Sequence, residues 1–125
     1  MLRRLFLVHA IVTFAAGIVL VAWPEAIPRT VGIRIDESAY LMCYLLGAAE
    51  MGTAALSLFA RSLRDPASLR AVTHSFAVMH FAAAAVEIYA WARAFAGNAI
   101  WLNVAFRVVI GAVFVDFGFR EGRAR

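Results

Sequence analysis

Four apolar runs, each about twenty residues long, dominate this 125-residue chain. The connections between them are short and rich in arginine, proline and glycine. An α-helix of about 20 apolar residues matches the hydrocarbon thickness of a bilayer. In lipid every backbone polar group must find a partner inside its own segment, so helices are the natural solution for runs of this length. Composition agrees: 64% of the residues are hydrophobic and only 16% are charged, against about 45–50% and about 25% in soluble domains. There is too little polar surface here to face water on all sides. The predicted class is an all-α integral membrane bundle of four helices running up-down-up-down, forming a single domain over residues 1–125.

The runs can be bounded. The first, Leu5 to Trp23, follows Arg3 and Arg4 in the manner of a secretory signal. At 19 residues it exceeds a signal's apolar core of about 7–15, and no small-residue cleavage site closes it, so it is read as a retained membrane helix. Pro24 ends it. Pro24 to Glu37 is the longest polar connection; its two prolines and Gly32 oppose a continuing helix, while Ile27, Val31, Ile33 and Ile35 place it on the membrane surface. The second helix is predicted over Ser38 to Leu63, capped by Asp36 or Ser38. The third covers Leu69 to Phe95 with Ser68 as its cap, and the fourth Ala99 to Phe119 after a Gly97-Asn98 turn. No internal repeat is visible.

All twelve basic residues are arginine. They cluster between the apolar runs rather than along a polar face, which argues against nucleic acid and for topology and headgroup contact. Arg3, Arg4, Arg61, Arg64, Arg70, Arg120, Arg123 and Arg125 fall on one side, and Arg29, Arg34 and Arg93 on the other. The positive-inside rule then predicts a multi-pass protein of a bacterial inner membrane with both termini cytoplasmic. A single cysteine, Cys43, excludes an intrachain disulfide and a multi-cysteine metal site.

Function has to be sought among the ionisable residues within the spans. At about 1.5 Å of rise per residue, Glu50, His80 and Arg107 fall within roughly 3 Å of one plane near mid-membrane. A charge there costs about 2.5–3.5 kcal/mol on insertion scales, so such residues are expected to pair. The expected pair is Arg107 with Glu50, Glu87 or both, closed by a bidentate guanidinium–carboxylate bond, with His80 hydrogen-bonded into the same cluster. Cys43, Gly47, Glu50, Ala54 and Ser57 make a small and polar stripe on the second helix. Thr73, His80 and Glu87 share a face of the third, and Asn103, Arg107 and Gly111 one of the fourth. Tyr44 completes the candidate ligand or proton site of Glu50, His80, Glu87, Arg107 and Asn103. The same residues equally suit a purely structural device that fixes helix register. A second layer toward the arginine-rich side holds His9, His74 and Asp116.

Several chemistries fit. Haem between helices needs two histidines at one depth, and His9 and His74 match best, with His80 as the remaining candidate. Quinone needs only a histidine or arginine donor in an apolar pocket. Proton-coupled transport would use the Glu–His–Arg layer, although a broken helix or an inverted repeat is missing. An accessory subunit of a larger membrane complex, or a homo-oligomer, would use the glycines and alanines for close packing. No catalytic residue is assigned: phosphate loops, nucleophile elbows, zinc-protease motifs and calcium loops are all missing. His74 and His80 lie about 240° apart on a helix and cannot chelate one metal.

Three short motifs carry a resemblance: Trp23-Pro24-Glu25 closing the first helix, Gly32-Ile33 before Asp36, and Gly47-Ala48-Ala49-Glu50-Met51-Gly52 in the second. In these the whole chain resembles the small uncharacterised four-helix bacterial membrane families of the domain-of-unknown-function type, with BphX-like proteins as neighbours. The resemblance implies the topology. Those families have no assigned reaction, so it implies no mechanism.

Overall fold

The computed structural model describes residues 1–123. It is all-α and contains the four long helices expected: α1 (Leu2–Ala22), α3 (Tyr40–Ala60), α4 (Pro66–Ala92) and α5 (Ile100–Arg123), with a short α2 (Ala26–Thr30) after α1 and a 3₁₀ turn (Glu37–Ala39) before α3. All four long helices have the length and apolarity to cross a membrane. Their outward faces carry large apolar side chains such as Phe59 and Leu102, the latter 78% exposed. These faces are solvated by lipid, and the chain is a small polytopic membrane protein. Arg125, counted above among the cytoplasmic arginines, lies outside the described residues.

The chain divides into two compact units, Met1–Ser62 and Leu63–Arg125. Each is an antiparallel helical hairpin. In the first, His9 meets Ser57, Gly17 meets Gly47 and Met51, and Val21 meets Gly47. In the second, Thr73 and His74 meet Gly118, Phe81 meets Gly111, and Trp91 meets Trp101. As one number rises the other falls, which is the signature of antiparallel neighbours joined by a short connection.

Glycine sets the closest approach in both. A methyl group on Gly17 would lie 2.8 Å from the Gly47 carbonyl oxygen, and one on Gly47 would lie 2.9 Å from the Gly17 carbonyl oxygen. In the second hairpin, Gly111 receives the edge of the Phe81 ring and Gly118 receives Thr73 and His74. Packing of backbone against backbone is what small residues allow in lipid, where no hydrophobic force drives helices together.

The helix ends correct several sequence expectations. α4 starts at Pro66, not Leu69, because Asp65 rather than Ser68 is the cap: its carboxylate accepts from Ser68 N at 2.8 Å and from Ser68 Oγ at 2.7 Å. Pro66 sits in the first turn, where its missing N–H costs nothing. Pro28 is tolerated inside α2 for the same reason, since all N–H groups of so short a helix are near its start. α3 ends at Ala60 rather than Leu63, and α5 continues past Phe119 to Arg123.

α4 ends at Ala92, three residues before Phe95. There Phe95 N bonds to Ala90 O and Ala94 N to Trp91 O, while Ala94 adopts φ 57°. This is a Schellman closure with alanine in the left-handed position. α2 closes the same way with glycine: Ile33 N bonds to Pro28 O, Gly32 N to Arg29 O, and Gly32 has φ 80°.

Contrary to the sequence reading, the chain does hold a repeat, in the pattern of burial. The buried residues of α1 are Leu2, Phe6, His9, Ala10, Thr13, Gly17 and Leu20. Sixty-seven positions on lie Leu69, Thr73, Phe76, Ala77, His80, Ala84 and Glu87. The middle five are the buried residues of α4, and Leu69 and Glu87 are half-buried. Likewise Cys43, Gly47, Ala54 and Ser57 of α3 correspond, 57 positions on, to Ile100, Val104, Gly111 and Phe114 of α5, all buried. Glu50 corresponds to Arg107, both half-buried. The His9–Ser57 contact of the first hairpin has its counterpart in the Phe76–Phe114 ring contact of the second, at 5.2 Å.

Candidate functional site

In the second hairpin α4 supplies Glu87 and α5 supplies Arg107. Arg107 Nε donates to Glu87 Oε1 at 2.7 Å. The side chains are 30% and 16% exposed respectively. Glu87 Oε2 is buried and takes no hydrogen bond from the described residues. The bidentate closure expected from the sequence is therefore not made, because the terminal guanidinium nitrogens do not bond to the second carboxylate oxygen.

His80 lies on α4 two turns before Glu87, buried, with its ring stacked on Phe114 at 6.1 Å and an interplanar angle of 13°. Phe76 packs on the same Phe114 ring. Asn103 sits one turn before Arg107 and is half-buried. The expected α5 stripe of Asn103, Arg107 and Gly111 is not the buried line of the helix; Val104, Gly111 and Gly118 are. A four-residue step advances about 40° around a helix at each repeat and drifts off the face, whereas a seven-residue step stays close to it. Arg107 thus stands at the edge of the packed face, where a long side chain can reach across to α4 and still leave its fork accessible.

Toward the loop, Trp91 Nε1 donates to Asn98 Oδ1 at 2.9 Å and its ring meets Trp101 edge-on. This aromatic lid closes the hairpin on the Glu87 side. At the other end His74 is exposed, with its ring edge-on to Phe119, and Asp116 is exposed and paired with Arg120 along the same helix at 2.8 Å.

The first hairpin has its own buried polar group. His9 Nδ1 lies 2.7 Å from Ser57 Oγ, and Ser57 Oγ donates to Thr53 O at 3.0 Å. A hydroxyl has one proton, so Ser57 accepts from His9, and His9 carries its proton on Nδ1. Thr13, also buried, donates back to His9 O at 2.8 Å. Ser57 is fully buried. The sequence puts His9 in a layer toward the arginine-rich side with His74 and Asp116, and does not show this bond to Ser57. The signal was the Leu2, Phe6, His9, Thr13 spacing, which puts the ring on the packed face of α1.

Glu50 is half-buried on α3, one turn from Gly47, and Tyr44 is exposed on the same helix with its ring 6.4 Å from that of Tyr40. Both belong to the first hairpin. At its loop end, Glu25 accepts from the Tyr40 hydroxyl and pairs with Arg29. Cys43 is buried as a small packing residue. Among the described residues no three His, Cys, Asp or Glu side chains gather as a metal site.

Comparison with known proteins finds no matching family model, no matching curated protein and no matching solved structure.

Proposed function

We propose that this protein is a non-catalytic membrane protein that binds a small ligand at the Glu87–Arg107 pair. The observation that carries the reading is the open carboxylate. A register device is most stable when each of its polar atoms is satisfied, because an unpaired one in a low-dielectric interior costs free energy. Here Arg107 engages one oxygen of Glu87, and the other is buried without a bond from the described residues. An acceptor and a guanidinium fork thus lie side by side between apolar helices. A ligand polar group that both donates and accepts complements them, as a carboxylic acid or a quinol does. Asn103, one turn from Arg107 on α5, adds an amide donor and acceptor.

The ligand site is proposed within a multi-pass protein of a bacterial inner membrane, with the arginine-rich termini and the α3–α4 turn on the cytoplasmic side. Kinship with the small four-helix bacterial families belongs to the same proposal.

A second reading, an accessory subunit docked on a larger complex, is favoured by Gly52. It is exposed in the interior of α3, and a methyl group there would meet no described atom within 4 Å. A bare backbone facing lipid lets another helix approach closely.

The test is mild detergent extraction from the native membrane, an absorption spectrum, and mass spectrometry of everything that accompanies the chain. A stoichiometric lipid-soluble molecule retained by the native chain, and lost from both Glu87→Gln and Arg107→Met, supports the ligand site. Cargo unchanged in both variants defeats it. A Soret band would indicate a redox module, reproducible partner chains an accessory subunit, and flux in proteoliposomes that collapses in Glu87→Gln a proton-coupled transporter.

A further inference from the structure

The geometry points to a second site, for a phosphate group, in the α1–α3 connection. A cavity of about 610 Å³ opens there, lined by Glu25, Arg29, Gly32, Ile33, Arg34 and Ile35. That volume is within the usual range for small-ligand sites, about 300–1,000 Å³. Its charged lining is one carboxylate and two guanidiniums. Glu25 is occupied twice: one oxygen accepts from the Tyr40 hydroxyl and the other pairs with Arg29. The carboxylate holds the Arg29 side chain in place and is itself neutralised, so the cavity keeps the positive charge of Arg34. Gly32, in its left-handed closure of α2, turns the chain so that Arg29 and Arg34, five residues apart, line the same space. Guanidiniums are well matched to phosphate oxygens, which they bind in a planar fork.

Position favours a lipid as the bearer of that phosphate. The cavity lies in the connection between the last turn of α1 and the first turn of α3, where the apolar spans end. Trp23, 64% exposed, stands at the same end of α1, as an aromatic at headgroup depth does. Ile33 and Ile35 give the cavity an apolar edge for the glycerol and the first carbons of the chains. This site is independent of the Glu87–Arg107 pair.

The test uses the full chain, reconstituted in phosphatidylcholine vesicles with or without phosphatidylglycerol, extracted gently and examined by native mass spectrometry. The native chain should retain phosphatidylglycerol in preference to phosphatidylcholine. Arg34→Gln should lower that retention about fivefold, the factor a basic residue near an anionic surface is worth. Arg64→Gln, in the other basic turn and outside the cavity, should lower it less than Arg34→Gln does. Glu25→Gln keeps an acceptor for Tyr40 and leaves the charge of Arg29 free for the phosphate, and should raise retention. In a parallel arm, inorganic phosphate and glycerol 3-phosphate are titrated into the detergent-solubilised chain. Saturable binding lost in Arg34→Gln, without lipid preference, would assign the same phosphate site to a soluble ligand. Equal retention of the two lipids with no phosphate binding, retention unmoved by Arg34→Gln, or a loss in Glu25→Gln would overturn the proposal. All three substituted side chains are outside the packed faces, and circular dichroism should show unchanged helix content.

Discussion

Gly17 and Gly47 face each other with no room for a methyl group on either: a β-carbon on one would sit within 3 Å of the other's carbonyl oxygen. The first hairpin therefore closes backbone to backbone. Gly17→Ala or Gly47→Ala should force the helices apart and cost about 1–3 kcal/mol, the usual penalty of overpacking. Gly52, eight residues below Ala60 on the same helix, has open space instead. Gly52→Ala should be neutral or stabilising by about 0.5–1 kcal/mol through helix propensity. Unfolding of the purified variants in mixed detergent micelles separates the two cases.

The buried His9–Ser57 bond has its counterpart in a contact between two phenylalanines, and that suggests its replaceability. Ser57→Ala alone should cost about 1–3 kcal/mol, since the His9 N–H loses its acceptor. His9→Phe combined with Ser57→Ala should recover part of the loss, because the His9–Ser57 bond is then removed from both sides at once. The same unfolding assay, run as a double-mutant cycle, measures the coupling.

Glu87 and Arg107 should also behave as a pair. Glu87→Gln or Arg107→Met alone should cost about 2–4 kcal/mol, and the double variant less than the sum. If the pair binds a ligand, adding the extracted cargo should raise the melting temperature of the native chain and of neither single variant.

The two Schellman closures predict opposite responses. Ala94→Gly relieves a left-handed alanine and should stabilise by about 1 kcal/mol, whereas Gly32→Ala introduces one and should destabilise by a similar amount. Thermal melts of both variants read the sign directly.

Asp36 gives a pH signature outside the membrane. Its carboxylate accepts from the Ser38 hydroxyl and from Ser38 N, which holds its pKa below the ordinary aspartate value. A depressed folded pKa contributes stability that is present at neutral pH and lost as the pH falls through that lowered value. Carboxyl-carbon chemical shifts followed by NMR should show Asp36 titrating below an aspartate in an unfolded peptide. Asp36→Asn should lose the pH dependence while keeping an acceptor for the turn.

The sequence made the class legible because length and apolarity alone decide it. Helix ends were less legible: Asp65-Pro66 and Ser68 all favour a helix start, and only the structure shows which side chain accepts. The Glu87–Arg107 contact was anticipated as one of two pairings, since a lone charge in lipid needs a partner. Its one-oxygen geometry was not, because that depends on Arg107 lying off the central line of α5. The repeat was hidden for a compositional reason. α1 and α4 share Ala10/Ala77, Phe14/Phe81, Ala15/Ala82, Ala16/Ala83 and Val19/Val86, residues too common in apolar helices to stand out. What repeats is the side each residue faces.

The bond between α4 and α5 also sets a schedule for synthesis. α4 emerges from the ribosome first, carrying the Glu87 carboxylate. α5 brings Arg107 about twenty residues later. Released singly into lipid, each helix would carry an unpaired charge, at a cost of up to about 2.5–3.5 kcal/mol, the value for a charge at the helix centre. Released together, the charges cancel across 2.7 Å. The insertion machinery thus has reason to hold α4 until α5 arrives, while α1, which has no Asp, Glu, Lys or Arg beyond its first turn, can leave at once.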